Sequence, residues 1–203
     1  MINKTTPEFS LEALKSGERN EFARFVDTCS GPIYRMALKM LGDQQDAEDV
    51  LQNTFLNAFK HIHSFEERSS LSTWLYRIAA NEALMLIRKR LPETTMTDTN
   101  LEDAEGEDYS PLQFVDWCCL PEDELLSGEA RRHLDRAVQR LPEKLRIVFI
   151  LRDLEGLSIE ETSQALDLSQ TAVKTRLLRA RLNLREQLSS YYGERIHDRM
   201  DKK

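Results

Sequence analysis

Three observations predict an all-α chain: two small helical domains joined by an acidic linker, the C-terminal domain carrying a helix-turn-helix. Apolar residues recur at steps of three and four along most of the 203 residues, the spacing of helix faces, and only 7 Gly and 6 Pro interrupt them. Acidic residues are concentrated in one place. Residues 91–129 hold 12 Asp or Glu and no Lys, Arg or His, so the formal charge of −7 becomes +5 elsewhere, from 28 basic against 23 acidic residues. The third observation is a capping box, Ser158 with Glu161, followed eleven residues after the serine by a second N-cap residue, Ser169, as two short helices around a tight turn require.

Composition narrows the function classes. A hydrophobic content of 40% is ordinary for a globular chain. No apolar run approaches the ~20 residues that span a bilayer, and the N-terminus lacks a basic-then-apolar signal pattern. The expected compartment is the cytoplasm, with no membrane insertion. Cys29, Cys118 and Cys119 have no zinc-site spacing and cannot form an even disulfide framework, so reduced thiols, no metal and no cofactor are expected. No phosphate-cradling glycine loop, paired catalytic carboxylates or nucleophile-base set stands out, which argues against an enzyme.

Taken in order, Phe9, Leu14, Phe22, Phe25 and Val26 are consistent with one or two opening helices up to about Cys29. A further helix is expected from Ile33 to Leu41, with Gly42 as its stop and Asp43 capping the next. In that next helix Ala47, Leu51, Phe55, Ala58 and Ile62 form one stripe. Asp46, Asp49, Gln52 and Asn53 lie on the other side, where spacing alone reads as a solvated face or as a docking site for a basic partner. The polar run 61–72 is a loop that leads into a helix from Leu71 to Arg90. Along that helix Arg77, Asn81 and Arg88 recur on one side. The terminal Arg88, Lys89 and Arg90 either complement the helix dipole or meet phosphates. Trp74, Leu75, Ile78 and Ala79 read as core, while His63 and Phe65 are positioned to stack on an unpaired base.

Residues 91–128, with Pro92, Pro111 and Pro121, have a composition that resists autonomous folding. Leu112, Phe114, Val115, Trp117 and Leu120 cluster there and call for a cover. A helix resumes from Glu124 with Leu126, Ala130, Leu134, Val138 and Leu141 as its stripe. Pro142 opens another, whose uninterrupted apolar run 147–151 belongs in a core, and Gly156 closes it. Residues 193–203 form a polar tail expected to fray.

Within 157–188 the first helix starts near Ile159 and ends near Leu166. The second follows Ser169, with Val173, Leu177, Ala180, Leu184 and Leu188 as its buried stripe. Around that stripe stand Lys174, Thr175, Arg176, Arg179, Arg181 and Arg185, opposed only by Glu186. This pattern suits a helix in a DNA major groove, N-terminal residues at base edges and later arginines at phosphates. It also fits a solvated basic helix packed on its own domain.

The stretches 46–59 (DAEDVLQNTFLNAF), 71–81 (LSTWLYRIAAN) and 141–181 (LPEKLRIVFILRDLEGLSIEET through TAVKTRLLRAR), in this order and with an acidic connector between the last two, resemble a bacterial RNA polymerase sigma factor. The branch is the extracytoplasmic-function one (group IV) of the sigma-70 family, which keeps only the second and fourth conserved regions. The resemblance implies a region 2-like domain over 1–90, a linker over 91–123, a region 4-like domain over 124–192 and a tail over 193–203. It implies a factor that binds core RNA polymerase and directs it to specific promoters in a stress or envelope response. Its partners would be the clamp helices of the largest polymerase subunit, the flap of the second-largest, promoter DNA and an anti-sigma protein. By the same resemblance Asp46, Asp49, Gln52 and Asn53 dock polymerase. His63, Phe65, Arg68, Ser70, Arg77, Asn81, Arg88, Lys89 and Arg90 meet the minus-ten element as single strand. Thr171, Lys174, Thr175, Arg176, Leu178, Arg179, Arg181 and Arg185 meet the minus-thirty-five element. The tryptophan pair of the housekeeping branch is replaced by Arg77 and Ile78, which implies melting that depends on a stringent promoter. The linker resembles the family segment that threads polymerase near the active centre, where an acidic strand can occupy a basic channel. The other function class is a free-standing regulator whose helix-turn-helix binds an operator without polymerase.

Overall fold

The computed structural model describes residues 9–90 and 128–200, with side chains over 9–90 and 132–188. Among these residues the regular secondary structure is entirely helical. The acidic connector, its apolar cluster, Cys118 and Cys119, and the helix start expected at Glu124 lie outside the described residues.

α1 (Leu11–Lys15) is capped by Ser10, whose Oγ accepts from Ala13 N at 3.3 Å. α2 (Arg19–Leu41) then runs for 23 residues without a break. The sequence pattern predicts separate helices here, because Pro32 lacks the N–H that would bond four residues back and costs ~3 kcal/mol in a helix interior. Packing overrides this. Phe25 on one side of the proline and Ile33, Met36, Ala37 and Met40 on the other are all buried on one face. Each large side chain so buried contributes ~1.5–3 kcal/mol, so a continuous helix wins. Gly42 ends it with a φ of 75°, a left-handed turn that glycine adopts without strain.

Asp43 caps α3 (Gln44–His61), accepting from Asp46 N at 3.0 Å. A single 3-10 turn at Ile62–Ser64 follows, and Ser70 caps α4 (Leu71–Arg90), accepting from Thr73 N at 3.1 Å. α2, α3 and α4 pack pairwise into a first lobe. Its centre is Phe25, with the rings of Phe9 and Phe55 edge-on at 5.1 and 6.0 Å. The predicted α3 stripe is buried except Leu51, which is half-buried.

The second lobe comprises α5 (Gly128–Arg140), α6 (Glu143–Phe149), one π turn (Ile150–Leu154), α7 (Ile159–Leu166) and α8 (Gln170–Met200). Ile147, Val148, Phe149, Ile150 and Leu151 are all buried, as are Val173, Leu177, Ala180, Leu184 and Leu188, the stripe expected for α8. Backbone helix continues to Met200, where the sequence pattern predicts a frayed tail from 193. No proline follows Gln170, and Gly193 alone does not stop propagation.

The lobes touch. α7 lies on α4, and the C-terminal end of α2 meets α5 and α6. Arg146 joins them: Nη1 donates to Met40 O of α2 at 2.7 Å, Nη2 to Leu141 O at 2.9 Å and also to Gln139 O. One guanidinium thus satisfies last-turn carbonyls of two helices from two lobes. Burial lowers its pKa from the ordinary arginine value, and the Glu143 carboxylate opposes that.

Candidate nucleic-acid and partner interfaces

Three sets of expected functional side chains fall on three separate surfaces. On α3, Asp49, Gln52 and Asn53 are exposed and off the buried stripe. One turn further on stand Leu56 and Phe59, 55% and 52% exposed, with Phe59 held edge-on to Phe22 at 5.0 Å. A polar rim beside exposed large apolar groups is how a protein-docking patch is built. Leu56 falls off the stripe, a signal available in the sequence, whereas Phe59, four residues after Phe55 and three before Ile62, fits the spacing and gave none.

Asp46 does not belong to that face. It is 6% exposed, and its Oδ1 accepts from Arg90 Nη2 at the end of α4. This corrects the expectation for Asp46, which is enclosed and not free for polymerase, while Arg90 pairs with it and stays exposed. Asp46 stands four and eight residues before Val50 and Thr54, both buried, so it shares their inward-facing side, and a buried carboxylate needs a cation. The pair ties the beginning of α3 to the end of α4.

On α4, Arg77, Asn81, Arg88 and Lys89 are exposed in one strip, with Met85, 46% exposed, between Asn81 and Arg88. Beside it, Asn57 of α3 donates to Glu82 at 2.9 Å. In the preceding loop His63, Arg68 and Ser70 are exposed. Arg68 pairs with Glu66 at 2.6 Å, a solvated contact of little energy. Ser70 is occupied as the cap of α4 and in hydroxyl contacts with Ser72 and Thr73 at 2.9 and 2.7 Å. Phe65 is a correction. It is 7% exposed and lies tilted against Trp74 at 5.3 Å, so it anchors the loop to the lobe and offers no face to an unpaired base.

The helix-turn-helix forms as its capping residues require. Ser158 Oγ accepts from Glu161 N at 3.0 Å, while Ser158 N donates to Glu161 Oε2 at 2.7 Å. Asp167 turns the chain with a φ of 55°, and Ser169 Oγ accepts from Ala172 N at 3.1 Å to start α8. Thr171, Lys174, Thr175, Arg179 and Arg185 are exposed, and Arg176 and Leu178 are half-buried. Arg176 lies between Val173 and Ala180 of the buried stripe, hence at the margin of the open face. Arg181 is a further correction. Its Nε and Nη2 fork onto Asp153 of the π turn at 2.9 and 2.8 Å, and those hydrogen bonds raise its pKa further. It fastens α8 to its own lobe instead of facing outward.

Among the described residues no group of three His, Cys, Asp or Glu is arranged to hold a metal ion, and no helix is long and apolar enough to cross a membrane. Burial pushes the Cys29 thiol up to about 11, so at neutral pH it remains a weakly nucleophilic thiol.

Two family models match the chain: Sigma-70 region 2 over residues 25–91 and Sigma-70, region 4 over residues 131–184. The chain is 37% identical over 179 residues to the ECF RNA polymerase sigma factor SigW of Bacillus subtilis, covering 88% of this chain and 94% of that one. To the ECF RNA polymerase sigma-E factor of Haemophilus influenzae it is 32% identical over 182 residues, 89% and 94% of the two chains. Two solved structures share the fold. CnrH in complex with the cytosolic domain of CnrY has a TM-score of 0.63 at 23% identity, over 89% of this chain and 95% of that one. The sigma factor RpoE in complex with the anti-sigma factor NepR from Bartonella quintana has a TM-score of 0.60 at 24% identity, over 83% and 97%.

Proposed function

We propose, from the premise that the chain belongs to the extracytoplasmic-function RNA polymerase sigma factors of the sigma-70 family, that its α3, α4 and α8 surfaces divide the work of initiation. The protein binds core RNA polymerase and directs it to specific promoters. It acts by binding and not by catalysis, and its compartment is the cytoplasm, where core polymerase resides. In this division α3 docks the polymerase clamp helices, α4 and its preceding loop hold the opened minus-ten strand, and α8 reads the minus-thirty-five duplex. A factor of this kind is a target for an anti-sigma protein, as RpoE is for NepR in their complex.

The observation that carries the α3 assignment is the exposed patch of Asp49, Gln52 and Asn53 beside Leu56 and Phe59. The relatives of this chain are sigma factors, which favours a polymerase-docking role for the patch over a free-standing operator-binding regulator. Reversing the charge at Asp49 together with Gln52→Ala should weaken polymerase binding by about tenfold or more, because polar groups around an apolar centre set register and exclude mismatched partners. Helical content should not change, since neither side chain is buried. Equal affinity of a folded variant, measured by competition for core enzyme, would remove α3 from the docking face. Promoter binding with and without core polymerase separates the two function classes, since only a regulator binds alone.

For α4, Asn81→Ala is expected to reduce promoter opening more than polymerase binding. Extruding a base from the stack costs a few kcal/mol, so each contact to the displaced strand weighs on opening. Permanganate reactivity of thymines in the melted region reads this out. Unchanged opening at a weak promoter would move the strand contact elsewhere along the Arg77 to Lys89 strip.

A further inference from the structure

We propose that Met85 of α4 recognises the C5-methyl group of a thymine at the paired edge of the opened minus-ten strand, which makes it a specificity-determining residue beside Asn81. The proposal rests on the assignment of α4 to the minus-ten strand given above. Among the described residues of the first lobe three large apolar side chains are exposed, Leu56, Phe59 and Met85. The first two belong to the docking patch on α3. Met85 stands on α4, on a face whose other exposed members are Arg77, Asn81, Arg88 and Lys89.

At ~100° per residue Ile78, Asn81 and Met85 fall within about 60° of one another around α4, at steps of three and four. Ile78 is half-buried, so Asn81 stands between one apolar side chain a turn before it and another a turn after. Charge is divided across this line. Arg77 and Arg88 border it on one side, whereas Glu82, which accepts from Asn57 of α3 at 2.9 Å, borders it on the other. Lys89 lies two turns beyond Glu82, at the helix end. A phosphodiester chain is drawn to the arginine edge and repelled by the carboxylate, which directs its bases across Asn81 and Met85.

The chemistry of the side chain selects the group it meets. A thioether carries no charge for a phosphate, accepts hydrogen bonds weakly and has no planar face for stacking. What it offers is adaptable apolar contact. On the edges of the bases the apolar group is the C5-methyl of thymine. At 46% exposure Met85 has surface to cover that methyl, and the contact removes apolar area of both partners from water. The helical rise gives the register. Met85 lies ~6 Å from Asn81 on the side away from the loop that precedes α4, which corresponds to one or two nucleotides at ~3.4 Å each. That loop marks the opened strand, so pairing resumes beyond Asn81, where Met85 stands.

The test uses the full chain as holoenzyme on a promoter it selects from a random library. Each thymine in and next to the minus-ten element is replaced in turn by deoxyuridine, which lacks only the methyl, and opening is read from 2-aminopurine fluorescence at a fixed melted position. At one position, one or two nucleotides from the base whose preference Asn81→Ala relaxes, deoxyuridine should lower opening about fourfold, the contribution of one buried methyl. Met85→Ala should open the thymine promoter at least fourfold less well and lose its sensitivity to deoxyuridine there, while Met85→Leu keeps that sensitivity. Core-polymerase binding should be the same for all three chains. A selected promoter without thymine at that position would overturn the proposal, as would a parent chain indifferent to deoxyuridine or a Met85→Ala chain that stays as sensitive as the parent. Weaker polymerase binding by Met85→Ala would also overturn it and place Met85 in the docking patch. Failure of the α4 assignment itself shows separately, as normal opening and unchanged base preference in Asn81→Ala.

Discussion

Replacing Lys174 by alanine is expected to flatten the preference of the holoenzyme among minus-thirty-five sequences. A good side-chain contact to a base edge carries ~1–3 kcal/mol of discrimination, roughly a ten- to hundredfold loss at the base pair concerned. Lys174 and Thr175 qualify as readers because they are exposed and stand in the first turns after the Ser169 cap, the end of a recognition helix that enters the groove. Arg185 is equally exposed but nearly three turns later. Arg185→Ala should weaken every sequence alike and reduce the salt slope by about one counterion, as a phosphate contact does. Arg176→Ala should have a smaller effect than Lys174→Ala, because Arg176 is half-buried at the margin of the stripe. Selection from a promoter library by each holoenzyme distinguishes these outcomes. A uniform loss for Lys174→Ala would make α8 a backbone anchor, with sequence read elsewhere.

Arg146→Ala is expected to be the most destabilising single change away from the apolar core, at about 2–4 kcal/mol. Hydrogen bonds from a charged donor contribute ~1.5–3 kcal/mol each, discounted here because this side chain is only partly buried. Truncation strands the carbonyls of Gln139 and Leu141 at the end of α5 and that of Met40 at the end of α2. Arg146→Lys should recover only part of the loss, since an ammonium cannot fork onto carbonyls in three directions. Urea unfolding of the three proteins measures this. A loss below about 0.5 kcal/mol for Arg146→Ala would mean that water caps both helices as well as the guanidinium does.

Whatever depends on neighbours a few residues apart was determined by the sequence itself. The Ser158 and Glu161 box, the Ser169 cap, the Gly42 stop and the start of α4 are local hydrogen-bonding and steric matters, legible from residue type and spacing. The buried stripe of α8 and the run 147–151 follow from helical periodicity, and the helix-turn-helix with them. Tertiary structure decided what the same side chains do when a distant element arrives. Pro32 sits inside α2 because Phe25 and Met36 bury on one continuous face. Asp46, Phe65 and Arg181 have the types and positions of functional residues, yet Arg90, Trp74 and Asp153 occupy them. Asp46 and Arg90 are 44 residues apart in sequence, and Arg181 and Asp153 are 28 apart. Glu155 is the extreme case, a residue with no signal in its own stretch whose carboxylate meets Tyr76, 79 residues away, across a lobe boundary. Periodicity reports which face of a helix is buried, because burial repeats along it. It does not report against what, because a cation, a ring or another lobe leaves no local repeat.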